Sequence, residues 1–129
     1  MIYLDTSVAL AHLLSEDRRP PASLWREQLV SSRLLEYEAW TRIHTRGLTE
    51  SHSEPLRMLL GRVALLELAP PVLTRVLEAF PVPVRTLDAM HLASIEFLRG
   101  RNQEVRLASY DRRLLDAAVA MTIPVLDLA

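Results

Sequence analysis

The sequence predicts an α/β fold, with a mainly parallel central sheet flanked by helices. Short apolar segments with strand character alternate with helical patterns from one end of the chain to the other. The chain has 129 residues, the size of one ordinary domain with a single hydrophobic core. Half of the residues are hydrophobic, and no internal repeat, low-complexity segment or linker interrupts them. We therefore expect one domain over residues 1–129.

Five short apolar runs predict strands. In chain order they cover residues 2–5, 29–32, 63–68, 105–109 and 123–126. Helical patterns predict the segments between and after them, which cover residues 6–14, 21–29, 33–46, 55–60, 72–79, 87–99 and 111–120.

Start and stop signals support these boundaries. Gly47 suits the C-terminal end of the helix before it. The polar segment 47–54 predicts a loop, and Pro55 suits the first turn of the next helix. Residues 81–85 are predicted to be extended, because each of their two prolines disfavours a helical conformation in the residue before it. Thr86 is then predicted to cap the helix that follows.

Composition excludes several classes of chemistry. The chain has no cysteine, so disulfides, thiolate metal sites and cysteine catalysis are ruled out. All 15 basic residues are arginine, which removes mechanisms that need a lysine, such as P-loop phosphate binding. With a formal net charge of −1, any binding of nucleic acid depends on local basic patches. No segment resembles a membrane span or a signal peptide, so we expect no membrane partner and a cytoplasmic location.

Three aspartates occupy comparable places next to predicted strands. Asp5 ends the first strand, Asp111 follows the fourth, and Asp88 opens a helix just after an extended segment. The carboxyl ends of parallel strands meet at one edge of an α/β sheet, so these side chains are expected to converge there. Glu38 lies on the apolar side of the third predicted helix, so it is expected to point inward and to need a partner.

Each acid alone also has an ordinary structural explanation. Aspartates at helix starts often cap the helix, a contribution of about 0.5–2 kcal/mol. Glu38 equally suits a solvated position or an i,i+4 pair with Arg42. Taken together, several carboxylates in one cleft repel each other, and a divalent cation with oxygen ligands relieves that repulsion. Such ligands suit Mg²⁺ or Mn²⁺, which activate water for displacement at phosphorus, so the acids together point to a nuclease.

Several segments resemble the motifs of PIN domains, and in particular those of the bacterial VapC-type toxins. The opening segment 2–7, with the sequence IYLDTS, resembles the first motif. The serine pair that precedes Glu38 resembles the region of the second acidic position. The segment 86–93, TLDAMHLA, is the most specific of the matches, and the segment 108–114, ASYDRRL, resembles the final acidic motif. Their order and spacing cover nearly the whole chain.

The resemblance implies a PIN-like three-layer fold and a Mg²⁺- or Mn²⁺-dependent ribonuclease, the toxin of a type II toxin-antitoxin pair. By motif match, the catalytic and metal-binding acids are Asp5, Glu38, Asp88 and Asp111. Ser7 and Ser109 are implied to orient carboxylates or water by hydrogen bonding. The implied partners are RNA and a cognate antitoxin, and the complexes of the family are commonly built on dimers, so we expect a homodimer.

Two interpretations of neighbouring residues stay open. Glu36 is an alternative to Glu38 as the site acid, and we favour Glu38 because the helix points Glu36 elsewhere. His91 follows Asp88 by three residues, and we prefer to interpret it as a core histidine with satisfied hydrogen bonds.

Arginines flank the proposed acids. They are equally suited to bind RNA phosphates and to be ordinary surface charges. These candidates are Arg85, Arg112 and Arg113.

Other protein classes also place an aspartate after a strand. Aspartate-nucleophile phosphatases generally need a second aspartate two residues later and a lysine, but here that position is Ser7 and lysine is absent. Receiver domains also use a lysine, which counts against them. The serious alternative to the nuclease is a degenerate PIN-like scaffold that binds metal or a partner without catalysis.

Overall fold

A four-stranded parallel sheet forms the centre of the structure, a computed structural model that describes all of residues 1–129. The strands are β1 (Ile2–Leu4), β2 (Leu29–Ser32), β3 (Ala64–Leu66) and β4 (Arg106–Ala108). They lie in the order β3-β2-β1-β4, and every neighbouring pair is parallel. The helices are α1 (Thr6–Leu13), α2 (Arg33–Thr45), α3 (Thr49–Leu60), α4 (Pro70–Val76), α5 (Thr86–Gly100) and α6 (Arg112–Ala120). The predicted α/β class with a parallel sheet is confirmed.

Helices cover both faces of the sheet, because successive side chains of a strand point to opposite faces. Tyr3 of β1 packs with Leu92 of α5 and Leu114 of α6 in the cluster on one face. Its neighbours Ile2 and Leu4 pack on the other face, against α1, α2 and α3. All three side chains of β1 are fully buried, as expected for the central strand of a parallel sheet. The three-layer arrangement follows.

The strand order contains a topological switch point beside β1. The chain adds β2 and β3 on one side of β1 and then returns to place β4 on the other side. Connections therefore leave the carboxyl ends of β1 and β4 toward opposite faces, which opens a crevice between them, and ligands of open α/β sheets bind in this crevice. Asp5 lies here, and its backbone N–H donates to the carbonyl oxygen of Ala108 at 3.0 Å.

The prediction of a loop over residues 47–54 was wrong, because α3 already begins at Thr49 and contains Pro55 in its interior. A proline inside a helix lacks the N–H for a backbone hydrogen bond and disfavours helix in the residue before it. Leu56 and Leu59 of the same helix are buried against the rest of the core. Packing of an apolar face outweighs the local preference here.

Three smaller predictions also differ from the structure. The helix expected over residues 21–29 is only a 3₁₀ turn over Ala22–Arg26. The strand expected over residues 123–126 is reduced to one parallel bridge between Val125 and Leu107, and Pro124 has no N–H with which to extend a ladder. Thr86 is the first residue of α5 and makes no capping hydrogen bond.

No helix of the structure has the length and apolar character that crossing a bilayer demands.

Candidate functional site

All four acids expected from the sequence line one cleft at the carboxyl edge of the sheet. The cleft has a volume of about 550 Å³ and lies at the switch point beside β1. The four residues arrive from the ends of β1 and β4 and from helices α2 and α5. They are Asp5, Glu38, Asp88 and Asp111. The expected convergence at one sheet edge is therefore found.

Asp5 is held by two serines through a single oxygen. Ser7 Oγ donates to Asp5 Oδ2 at 2.6 Å, and Ser109 Oγ donates to the same atom at 2.8 Å. The two hydroxyls are themselves oriented, since Ser7 Oγ accepts the backbone N–H of Tyr110 and Ser109 Oγ accepts that of Asp111, both at 2.9 Å. Asp5 is only 5% exposed, and its Oδ1 accepts no hydrogen bond. The serines thus orient the carboxylate and leave one oxygen free.

Glu38 shows the same division between its two oxygens. Its Oε1 accepts from Thr6 Oγ1 at 2.7 Å and lies 3.0 Å from His91 Nε2, whereas its Oε2 has no hydrogen bond. Burial alone raises the pKa of this carboxyl, but the hydrogen bonds with His91 and Thr6 and the charges of His91 and Arg42 outweigh burial. The pKa of Glu38 is lowered as a result, which favours the carboxylate. Arg42 lines the cleft but forms no close ion pair with Glu38.

Glu36 lies outside the cleft. Its carboxylate pairs with Arg33, with 3.5 Å between Oε1 and the guanidinium nitrogen Nη1. Two residues along a helix correspond to a rotation of about 200°, so Glu36 and Glu38 cannot share a face. The structure brings Glu38 and not Glu36 to the other acids.

Asp88 carries a buried oxygen without a partner. The residue is 9% exposed, and its Oδ2 has no hydrogen bond. Burial and the charges of Asp111 and Asp5 raise the pKa of Asp88, against the opposing effects of the Arg85 backbone amide and His91. A buried acceptor without a donor is unfavourable in a folded protein unless something else binds it.

Asp111 is both a helix cap and a cleft residue. Its Oδ1 accepts the backbone N–H groups of Arg113 at 3.0 Å and Leu114 at 3.5 Å, as an N-cap does. Its Oδ2 accepts no hydrogen bond, and its charge contributes to the raised pKa of Asp88. Capping therefore uses one oxygen of Asp111, and the second oxygen remains available.

His91 is a buried core residue, as the preferred interpretation of the sequence has it, and it also lines the cleft. The side chain is buried, as the core interpretation requires, yet its Nε2 lies 3.0 Å from Glu38 Oε1 and 3.7 Å from Asp5 Oδ1. Burial lowers the pKa of His91, but the Tyr3 oxygen and the carboxylates of Glu38 and Asp5 outweigh burial and raise the pKa. The sequence held one signal for this position, since residues three apart on a helix share a face and Asp88 is three residues before His91.

The donor set has the chemistry of a site for a hard divalent cation. Every candidate ligand is a carboxylate. In Asp5, Glu38 and Asp111, one carboxylate oxygen accepts hydrogen bonds and the second oxygen accepts none. The unpartnered Asp88 Oδ2 is the fourth such oxygen. No three acidic or histidine side chains stand close enough to form a ready-made cage.

A second hollow of about 690 Å³ adjoins the cleft and shares Asp88 and Asp111 with it. It is lined by the three arginines that the sequence suggested as phosphate-binding candidates, and none of them is engaged in an ion pair. They are Arg85, Arg112 and Arg113. The first cleft adds Arg18 and Arg42, which the sequence analysis had not singled out as substrate contacts.

The chain is similar to known proteins over most of its length. The family model described as "PIN domain" matches residues 2–120 of the chain. One similar protein is "Ribonuclease VapC47" from Mycobacterium tuberculosis (strain CDC 1551 / Oshkosh). It is 30% identical over 122 residues, which cover 89% of this chain and 88% of that protein.

Proposed function

Because this chain belongs to the PIN-domain family, we propose that it is a metal-dependent endoribonuclease that acts as the toxin of a toxin-antitoxin pair. The reaction is hydrolysis of RNA phosphodiester bonds. The similar mycobacterial protein is named as a ribonuclease, which supports the reaction class.

The arrangement of carboxylate oxygens is the observation that carries the proposal. Four acids from distant parts of the chain line one cleft, and the hydrogen bonds of three of them reach only one oxygen each. Helix capping and ion pairing do not account for Asp88 Oδ2, which is buried without a hydrogen-bond partner and close to other negative charges. Binding of Mg²⁺ or Mn²⁺ by these oxygens explains both features.

Each group of residues has a distinct role in this mechanism. A divalent ion bound in the cleft would lower the pKa of water and neutralise charge that develops at the phosphoryl group. Asp5, Glu38, Asp88 and Asp111, which line the cleft, would hold that ion. Ser7 and Ser109 keep the Asp5 carboxylate in one orientation, so it need not be ordered when the ion binds.

The arginines of the second hollow are suited to the phosphates that flank the scissile bond. Guanidinium groups bind phosphate oxygens in a bidentate manner, and these contacts carry no base specificity. The hollow adjoins the acids at Asp88 and Asp111, so a strand that crosses the acids also passes these arginines. This supports a nucleic-acid substrate, and the family resemblance implies that it is single-stranded or looped RNA.

The proposal includes a cognate antitoxin, a homodimer and a cytoplasmic location, as the family resemblance implies. Exposed apolar side chains, among them Leu77 at 86% and Met58 at 69%, are available for such contacts. It also includes a single domain over residues 1–129, since Leu126 and Leu128 pack on the same core as the segment matched by the family model. Growth arrest on expression, relieved by the product of an adjacent gene, tests the toxin role.

Cleavage of total RNA by the purified protein, free of any antitoxin, tests the enzymatic part. We expect discrete fragments with Mg²⁺ or Mn²⁺, none with a chelator, and none from Asp5→Asn. Intact RNA under all conditions from a folded protein that binds Mn²⁺ would instead indicate a degenerate scaffold without catalysis.

Glu38→Gln and Glu36→Gln form a matched pair for the same assay. Both remove one carboxylate from α2, but only Glu38 lines the cleft. We expect at least about a 100-fold loss of rate for Glu38→Gln, equivalent to a few kcal/mol of transition-state stabilisation, and less than about a twofold change for Glu36→Gln. Equal losses in the two variants would contradict the assignment of Glu38.

A further inference from the structure

An imidazole ring is buried beneath the acidic cleft, where an apolar side chain would complete the core with less penalty. His91 is 2% exposed and belongs to α5, which otherwise presents Leu92, Ile95 and Leu98 to the core cluster. A polar ring in such a place is unfavourable unless both nitrogens have partners. Both nitrogens of His91 do.

The partners of His91 lie on opposite sides of its ring. Nδ1 is 2.8 Å from the hydroxyl of Tyr3, and Nε2 is 3.0 Å from Glu38 Oε1. A carboxylate only accepts hydrogen bonds, so Nε2 carries a proton and donates a hydrogen bond to Glu38. The same nitrogen lies 3.7 Å from Asp5 Oδ1, which is too long for a hydrogen bond, so its N–H group is bound to Glu38 alone.

Tyr3 anchors this chain of hydrogen bonds in the central region of the sheet. It is fully buried in β1, and that strand is paired on both sides, with β2 and with β4. The rings of Tyr3 and His91 meet edge to face, with 5.6 Å between centroids and an angle of 80°. The hydrogen bonds therefore link the central strand through α5 to the Glu38 side chain on α2.

Glu38 depends on this link more than the other acids depend on their partners. Its carboxylate stands at the end of a flexible side chain in the middle of a helix, whereas Asp5 and Asp111 have shorter side chains held by neighbouring backbone or hydroxyl groups. Without His91 Nε2, only Thr6 Oγ1 holds Glu38 Oε1. An unheld carboxylate has to be ordered when a ligand binds, which weakens binding.

Resting on the function proposed above, we propose that Tyr3 and His91 are positioning residues that prepare the Glu38 carboxylate to bind the divalent ion. Tyr3 lies below the cleft and His91 lines it, and in this role both act through Glu38. The pair fixes Glu38 Oε1 and leaves Oε2 free.

The test measures Mn²⁺ binding to the full-length protein without RNA, together with kcat and KM for cleavage and the free energy of unfolding. His91→Leu removes both hydrogen bonds, Tyr3→Phe removes only the anchor, and His91→Gln keeps an N–H donor near the place of Nε2. Loss of residues that orient a ligand typically weakens metal binding by about 10- to 100-fold, and we expect this for His91→Leu. Tyr3→Phe is expected to weaken Mn²⁺ binding by a smaller factor of about three to ten, and His91→Gln to recover most of the affinity.

Ile95→Val is the matched control for a purely structural effect. Ile95 is fully buried one turn after His91 on the same helix and does not line the cleft. The variant should therefore lose about 1 kcal/mol of stability and keep wild-type Mn²⁺ affinity. At limiting Mn²⁺, kcat should fall in His91→Leu and Tyr3→Phe while KM for RNA stays unchanged.

Two negative results are distinguishable. Wild-type Mn²⁺ affinity in folded Tyr3→Phe and His91→Leu would overturn the positioning role and leave the proposed nuclease intact. If folded His91→Leu cannot be obtained, wild-type affinity in Tyr3→Phe alone overturns it. Absence of both Mn²⁺ binding and cleavage in the wild type would overturn the proposed function and this inference together.

Discussion

Single carboxylates in this cleft can cap a helix with one oxygen and keep the other oxygen free. Asp5 is the N-cap of α1 and Asp111 is the N-cap of α6. A carboxylate has two oxygens, and capping uses Oδ2 of Asp5 and Oδ1 of Asp111. The structural and the proposed catalytic interpretations of these residues are therefore compatible, and a variant that loses activity can also lose stability.

Asp88 differs from these caps because its charge destabilises the metal-free protein. Its pKa is raised by burial, by Asp111 and by Asp5. A raised pKa in the folded state means that stability is highest below the unfolded pKa of about 4 and falls as the pH rises through the folded value. In a chelator we expect Asp88→Asn to be more stable than the wild type at pH 7, with a difference that vanishes toward pH 4, as measured by urea unfolding.

The same variant should reverse its rank when Mn²⁺ is added. Binding to the folded state stabilises the wild type by mass action, and Asp88→Asn loses one ligand oxygen and most of this gain. Its rate of RNA cleavage should fall by about 100-fold or more. A wild type that is more stable than Asp88→Asn at neutral pH in the chelator would contradict the repulsion inferred for this site.

At the scale of secondary-structure elements, Gly47 is a sequence signal for the end of α2, and the helix does end there in the structure. Gly47 has a φ of +70°, and its N–H donates to the carbonyl of His44 at 3.1 Å, while that of Leu48 donates to Ile43 at 2.8 Å. These two bonds form the Schellman motif, which favours glycine because other L-residues are strained at positive φ. The helix that carries Glu38 therefore ends where the sequence predicts, to within one residue.

Gly47→Ala should lower the free energy of unfolding by about 1 kcal/mol, because alanine is strained in the left-handed region. A new Cβ meets no atom within 4 Å, so steric overlap with neighbours adds nothing. Gly100→Ala is the control with the opposite sign. Gly100 is the last helical residue of α5, it is equally open, and its φ is not positive. Alanine there should add up to about 1 kcal/mol of stability in the same denaturant titration.

At the scale of the whole molecule, charges are unevenly distributed around the carboxyl edge of the sheet. The net charge of −1 predicts little overall attraction for RNA, but the acids of the cleft adjoin a hollow lined by three unpaired arginines. Binding through a few local phosphate contacts, as this arrangement suggests, leaves a measurable dependence on salt.

Replacing Arg112 or Arg85 with Gln should raise KM for RNA by about fivefold, which corresponds to about 1 kcal/mol, and leave kcat nearly unchanged. Each loss should also reduce the slope of log affinity against log salt concentration by about 0.7, the value for one phosphate contact with a single strand. Arg106→Gln is the matched control, because Arg106 is exposed at the start of β4, at the opposite edge of the sheet. An equal effect of Arg106→Gln would indicate non-specific attraction.

The sequence alone predicted the alternation of strands and helices, the parallel sheet and the four acids with their two serines. Strand ends and helix starts are local features, and the carboxyl ends of parallel strands have to share an edge, so Asp5 and Asp111 were found without coordinates. The motif resemblance added Glu38, which periodicity alone left open against a solvated position.

Tertiary structure alone decided the features that depend on contacts between distant segments. α3 passes through Pro55 because Leu56 and Leu59 are buried, and the polar residues before Pro55 give no local sign that the helix begins at Thr49. The hydrogen bonds of His91 to Tyr3 and Glu38 bridge 88 and 53 positions along the chain. In the sequence, a polar residue on an apolar helix face looks the same whether it only has its own hydrogen bonds satisfied or also orients another side chain. Only the positions of its partners in the structure distinguish these two roles.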